Sequence, residues 1–266
     1  MSFIKMGDSQ MYYEMQGEGT PFLFLHDGLL DCTCWDSQFA SFSKTYRTIR
    51  YDRQAYGRSG MPTLPFSILE TAKTLLEHLH VEQTVLIGSS IGGTIALHFA
   101  LAYPQMVKKL IIVGSHVSGM AWSEEFQQRM QQVFMPLQEE GNLAGKAERV
   151  AEDPYLIAPE NTVAREWLRQ KLLANPRCLL GHGQLMKNNL IRFAEFVAAD
   201  RLHEILVPTL IIVGESDAPD IHTHTAAMQA GIPTAQRVVM QQAGHYPYIE
   251  KPEEFNRITL QFLHDK

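Results

Sequence analysis

Four short apolar runs constrain the fold of this chain more than any other feature: Phe22–Leu25, Thr84–Ile87, Leu110–Val113 and Thr209–Val213. A strand with one wet face alternates apolar and polar residues. These runs do not alternate, so they read as strands covered on both faces. Between them lie stretches with helical spacing. Ile68–Leu79 has apolar residues at 68, 69, 72, 75, 76 and 79, the pattern of an amphipathic helix. Ile91–Tyr103 is apolar all round and ends at Pro104, which predicts a buried helix. Pro252–Leu263 predicts a terminal helix, and Thr45–Tyr51 and Arg237–Gln241 two further strands. Phe3–Met6 and Met11–Met15 flank Gly7-Asp8, as in an antiparallel edge hairpin. The expected class is α/β, with a mostly parallel sheet covered by helices on both faces.

Residues 115–207 interrupt the alternation with no convincing strand, and Gln127–Leu137 and Val163–Leu173 are helical in pattern. The sheet pattern resumes at Ile205–Val213. A helical insertion with a return helix, set into one sheet, explains this better than a separate domain. The expected division is a core of 1–114 and 208–266 and a cap of 115–207. Trp122, Phe126, Phe134, Trp167 and Phe193 lie in the cap. They predict a mainly apolar pocket, or else packing of the cap on itself.

Composition narrows the function. A formal charge of −6 over 266 residues argues against nucleic acid as a partner, because phosphate binding needs clustered Lys and Arg. No run is long enough to cross a bilayer, and MSFIKMGDSQ lacks the apolar core of a signal peptide. The three cysteines, Cys32, Cys34 and Cys178, form no disulfide framework or metal motif and read as buried thiols. A cytoplasmic protein with a small-molecule substrate, monomeric or homodimeric, is expected.

The chemistry enters at Gly88-Ser89-Ser90-Ile91-Gly92. This fits G-x-S-x-G, a sharp strand-to-helix turn that lifts a serine oxygen above a sheet. Side chains two residues either side would collide there, which accounts for both glycines. The pattern can be centred on Ser90 and not on Ser89, so Ser90 is the candidate nucleophile. A serine hydroxyl needs a general base. Of eleven histidines, His245 follows the last strand, on the same carboxyl rim as Ser90. His78, His80, His98, His203 and His264 fall on helical or surface patterns. His222 and His224 lack a convincing third metal ligand, and His182 lies in the insertion, where it could face substrate. Asp217, after the strand Thr209–Val213, completes the order Ser, Asp, His expected of this turn, with Glu215 and Asp220 as alternatives. The oxyanion needs two N–H donors. Ile91 supplies one, and the loop after Phe22–Leu25 the other, with Gly28 the first choice and Leu29 the second.

Four blocks then carry a resemblance: His26-Asp27-Gly28, Tyr51–Ser59, Gly88–Gly93, and Pro208–Asp217 with Gly244-His245. Together they resemble the α/β-hydrolase family, in its capped, cofactor-free serine branch, over nearly the whole chain except the insertion. The resemblance implies an eight-stranded sheet, a cap after strand six, a Ser90–Asp217–His245 triad, and neither cofactor nor metal. Two departures stand out. Asp27 replaces the glycine of the usual His-Gly, and Gln54-Ala55 stands where Asp-x-Arg-Gly-x-Gly-x-Ser has Arg-Gly. Asp27 places a carboxylate near the expected site, where it would raise the pKa of His245 or repel anionic substrates.

The expected activity is hydrolysis of a carboxylic ester or lactone through an acyl-enzyme on Ser90. The same family also holds C–C bond hydrolases, perhydrolases and small-molecule receptors with slow hydrolysis. A serine at position 90 disfavours the haloalkane dehalogenases and epoxide hydrolases, which use aspartate there.

Overall fold

The computed structural model describes residues 2–138 and 141–264. Eight strands form the main sheet: β1 (Ser2–Met6), β2 (Ser9–Gln16), β3 (Pro21–Leu25), β4 (Arg47–Tyr51), β5 (Thr84–Ser89), β6 (Val107–Val113), β7 (Thr209–Gly214) and β8 (Ala235–Met240). Their spatial order is β1-β2-β4-β3-β5-β6-β7-β8. β1 and β2 form the antiparallel hairpin, β2 pairs antiparallel with β4, and every other pairing is parallel.

The continuous apolar runs follow from burial on both faces. Leu23, Leu25, Leu110 and Ile112 point into one core cluster, with helices Ile68–His78 and Ile91–Ala102. Phe22, Phe24, Ile111 and Val113 point into the other, with helices Asp36–Phe42 and Pro252–His264. Successive strand residues face opposite sides, so two covered faces demand apolar side chains at every position.

The chain reverses its direction of sheet growth at β3, which has β4 on one flank and β5 on the other. The loops after β3 and β5 therefore leave the carboxyl edge side by side, and such a switch point opens a crevice.

Residues 115–207 run between neighbouring strands β6 and β7. They supply helices Glu124–Arg129, Leu143–Ala151, Thr162–Ala174 and Arg177–Lys187. The first begins at Ser123, whose hydroxyl accepts the Phe126 N–H at 3.1 Å, and continues through a π-helical turn at Met130–Phe134. Asn161 caps the third by accepting the Ala164 N–H at 3.1 Å. One detail departs from expectation: Ile191–Arg192 is a two-residue strand paired in parallel with Phe66–Ser67. The ends of the insertion also differ from its middle, because Val117, Ala198, Leu202 and Ile205 belong to the core cluster of the main sheet. Among the described residues, no helix is long and apolar enough to cross a membrane. All three cysteines are free and buried.

Candidate active site

Ser90 closes β5 and opens helix Ile91–Ala102, with φ 55° and ψ −123°. A non-glycine residue at positive φ is strained. The surroundings hold it there: its N–H donates to the Val113 carbonyl at 2.8 Å. The two flanking glycines are sterically required. A Cβ on Gly88 would strike the Gly92 carbonyl, and a Cβ on Gly92 would strike the Leu25 and His26 carbonyls at the end of β3. Ser90 and the loop after β3 are thus locked together backbone to backbone.

His245 sits in the loop after β8. Its Nδ1 lies 3.0 and 2.9 Å from the two carboxylate oxygens of Asp217, and its backbone N–H donates to the Tyr155 carbonyl at 2.8 Å. Burial pulls the imidazole pKa down, but the charge and hydrogen bond of Asp217, with Asp27 behind, outweigh it and raise the pKa above the ordinary 6.5. Asp217 is buried and also accepts the Ala218 N–H at 2.7 Å. The alternative acids are committed elsewhere: Asp220 accepts the Ser123 N–H and hydroxyl at 2.6 and 2.8 Å, and Glu215 accepts the Gln242 N–H at 2.9 Å.

The loop after β3 is bolted from below. The His26 Nδ1–H donates to the Asp27 carbonyl at 2.8 Å, and its Nε2 accepts the Arg53 N–H at 3.0 Å. The Arg53 guanidinium also donates to the Asp27 carbonyl. Asp52 fixes the second block by accepting the Cys32 and Arg58 N–H groups at 2.9 and 2.8 Å. Ala55, where the related pattern has glycine, keeps a glycine-like φ of 71°. The backbone shape survives the substitution at a cost in strain.

Asp27 is fully buried, with its carboxylate turned onto its own loop. It accepts the Leu29 N–H, the Leu30 N–H at 2.9 Å and the Tyr248 hydroxyl at 3.5 Å. Leu29 is thereby spent as an oxyanion donor. The N–H groups of Gly28 and Ile91 have no hydrogen bond to any described residue, and both residues line the cavity. Burial raises the Asp27 pKa, while the Leu29 and Leu30 N–H groups oppose the rise. Asp27 is absent from the cavity wall, which weighs against direct repulsion of anionic substrates. Its influence on His245 is through charge. Asp27→Asn can keep the loop bonds while removing that charge. The expected result is a lower His245 pKa and an acid limb of the kcat/KM–pH profile displaced toward lower pH. A profile identical to wild type would overturn this assignment.

Ser90, His245, Asp217, Gly28 and Ile91 all line one cavity of about 330 Å³. Trp122, Phe126, Phe134 and Phe193 form apolar wall, as the sequence predicts for the pocket. Trp167 instead borders a separate depression beside Cys34. The His182 side chain lies outside the described residues. His222 and His224 are engaged by the protein: the His222 Nδ1 meets the Arg237 guanidinium at 3.1 Å, and the His224 Nδ1 accepts the Val117 N–H at 3.1 Å. No metal-binding cluster occurs among the described residues. The sequence reading missed His116, Arg129 and Tyr246 on the cavity wall. His116 follows β6 at the carboxyl rim, so the rule that selected His245 also reaches it.

A family model described as alpha/beta hydrolase fold matches residues 20–252. A protein of Azorhizobium caulinodans named for carbamate hydrolysis, RutD, is 29% identical over 98% of both chains. The 2-hydroxy-6-oxo-6-phenylhexa-2,4-dienoate hydrolase of Comamonas testosteroni is 26% identical, over 98% of this chain and 93% of its own. Among solved structures, the N-acyl homoserine lactone degrading enzyme Est816 matches with TM-score 0.79 and 27% identity, over 98% of this chain and 100% of its own.

Proposed function

The chain belongs to the α/β-hydrolase fold family, and from that premise we propose that it is a serine hydrolase cleaving a carboxylic ester or lactone of a small, mainly apolar substrate. The observation that carries this reading is the His245 Nδ1 held by both oxygens of Asp217, in one cavity with Ser90. Asp217 fixes the tautomer with Nδ1–H, which leaves Nε2 as the base. Nε2 takes the Ser90 proton as Oγ bonds to the substrate carbonyl carbon. The Gly28 and Ile91 N–H groups receive the oxyanion. His245 then returns the proton to the leaving oxygen, the acyl–oxygen bond breaks, and an acyl-enzyme forms. Water, activated by the same Nε2, releases the acid and restores Ser90. Residues 115–207 act as the cap of the core 1–114 and 208–266. That role is supported by Phe126, Phe134 and Leu179, which they contribute to the cavity wall.

The Comamonas relative supports a second substrate class, so its named dienoate belongs in the test. A fluorophosphonate probe is expected to label the wild-type protein on Ser90, read by mass spectrometry of the modified peptide. A panel of p-nitrophenyl esters, lactones and the dienoate then ranks the substrates. Absence of both labelling and turnover would defeat the enzyme reading in favour of a receptor.

A further inference from the structure

We propose that His116 is a specificity-determining residue: its Nε2 accepts a hydrogen bond from a hydroxyl or N–H that the substrate carries near the scissile carbonyl. The inference rests on the acyl-transfer reading of the cavity and names a substrate class for it.

The protonation of the His116 ring follows from one neighbour. The Thr94 Oγ lies 2.9 Å from the His116 carbonyl and 3.1 Å from the His116 Nδ1. The same hydroxyl also faces the Ser90 carbonyl at 3.4 Å. Carbonyls cannot donate, so the single Thr94 hydroxyl hydrogen goes to a carbonyl, the nearer being that of His116. The Nδ1 contact then requires Nδ1–H to donate to Oγ. Neutral imidazole carries one ring proton, so Nε2 is bare and can only accept.

The ring is also kept neutral and in place. Burial, with His224, His98 and His245 nearby, holds its pKa down at about 4. Thr94 lies one turn beyond Ser90 on the same helix, so the bond ties the ring to the helix that presents the candidate nucleophile. Trp122 packs against the imidazole with centroids 5.3 Å apart. Behind them His224 is fixed in the opposite tautomer: its Nδ1 accepts the Val117 N–H at 3.1 Å, so its proton is on Nε2, which is buried without a partner. The two rings stand nearly perpendicular, with centroids 6.3 Å apart.

The His116 Nε2 has no hydrogen bond to any described residue, yet His116 lines the cavity. Ser90, Asp217 and His245 are committed to the proposed chemistry. Arg129 donates to both oxygens of Asp153 at 3.1 and 2.6 Å. The Tyr246 hydroxyl, also on the wall, carries its own hydrogen and can donate as well as accept. The His116 Nε2 can only accept, in a mainly apolar chamber where an unpaired polar group is costly and a matching donor is rewarded.

The test compares p-nitrophenyl butanoate with p-nitrophenyl 3-hydroxybutanoate, which differ by one donor. Wild type is expected to favour the hydroxy ester by about tenfold in kcat/KM, the scale of one net hydrogen bond. His116→Phe should bring that ratio to about one, and His116→Gln, which keeps an acceptor, should restore part of it. A wild-type ratio near one overturns the proposal. So does a Phe variant that keeps the ratio, or one that lowers both rates equally. Nitrogen-15 NMR of the ring reads the tautomer without turnover: protonation at Nδ1 is expected, and protonation at Nε2 overturns the proposal. Failure of the acyl-transfer reading is distinguishable, because it appears as loss of fluorophosphonate labelling in the wild type.

Discussion

Ser90→Ala is expected to lower kcat about a million-fold and to leave the melting temperature unchanged. The first effect follows from removing the proposed nucleophilic oxygen at the centre of the G-x-S-x-G turn, in the cavity that His245 also lines. The second follows from the backbone. Ser90 occupies φ 55° and ψ −123°, and alanine carries the same Cβ, so the strain stays in place. Ser90→Gly separates the two quantities. It should be equally inactive and yet more stable, by about 1 kcal/mol, because glycine reaches positive φ without penalty. Activity is read with the ester found in the panel, and stability from the denaturant midpoint. Full activity in Ser90→Ala would remove Ser90 from the chemistry. A glycine variant less stable than wild type would remove strain from the account.

Asp217→Asn is expected to lower kcat by about ten-thousand-fold while the protein stays folded. Both carboxylate oxygens are within 3.0 Å of the His245 Nδ1, so either can hold the Nδ1–H tautomer. An amide can turn its NH₂ to Nδ1 instead, which moves the ring proton to Nε2 and leaves no base facing Ser90. The pH dependence has a definite sign. Burial lowers the His245 pKa, Asp217 and the Asp27 charge together more than restore it, and the net value lies above 6.5. Removing the Asp217 charge therefore moves the acid limb of the residual rate toward lower pH. The stability contributed by the charged pair is full below about 6.5 and fades as pH rises through the raised value. Asp220→Asn is the control, since that carboxylate holds Ser123 and its loss should leave kcat near wild type. Retained activity in Asp217→Asn, with loss in Asp220→Asn, would reverse the assignment.

The sheet was legible because its physics is written at every position. Leu110, Ile111, Ile112 and Val113 are all apolar since alternate residues enter different cores. The G-x-S-x-G turn was legible because its glycines are forced by backbone contact. Other elements left weaker marks. Helix Pro219–Gly231 buries Ile221, His224, Thr225 and Met228, a half-polar face with no apolar stripe to read. Helix Asp36–Phe42 is two turns long and buries Gln38 beside Phe39 and Phe42. Within the site, residue types were readable and directions were not. Asp27 read as a charge near the chemistry, but its oxygens face its own loop. Trp122 and Trp167 are alike in sequence, and only the fold turns one into the cavity and the other away.

The insertion between β6 and β7 also bears on how this architecture can be remodelled. The strands it separates are direct partners, registered from Leu110 opposite Thr209 to Val113 opposite Ile212. Pairing them closes a long loop whichever helices it contains. The entropy of closure grows only logarithmically, by about 0.6 kcal/mol for each doubling of loop length. The chamber wall can therefore lengthen, shorten or exchange helices across generations at little expense to strand pairing. The candidate reacting groups sit on turns of the sheet, and the insertion's backbone holds them through the Tyr155 carbonyl, which accepts the His245 backbone N–H, so substrate range can evolve in the insertion as long as that contact is kept.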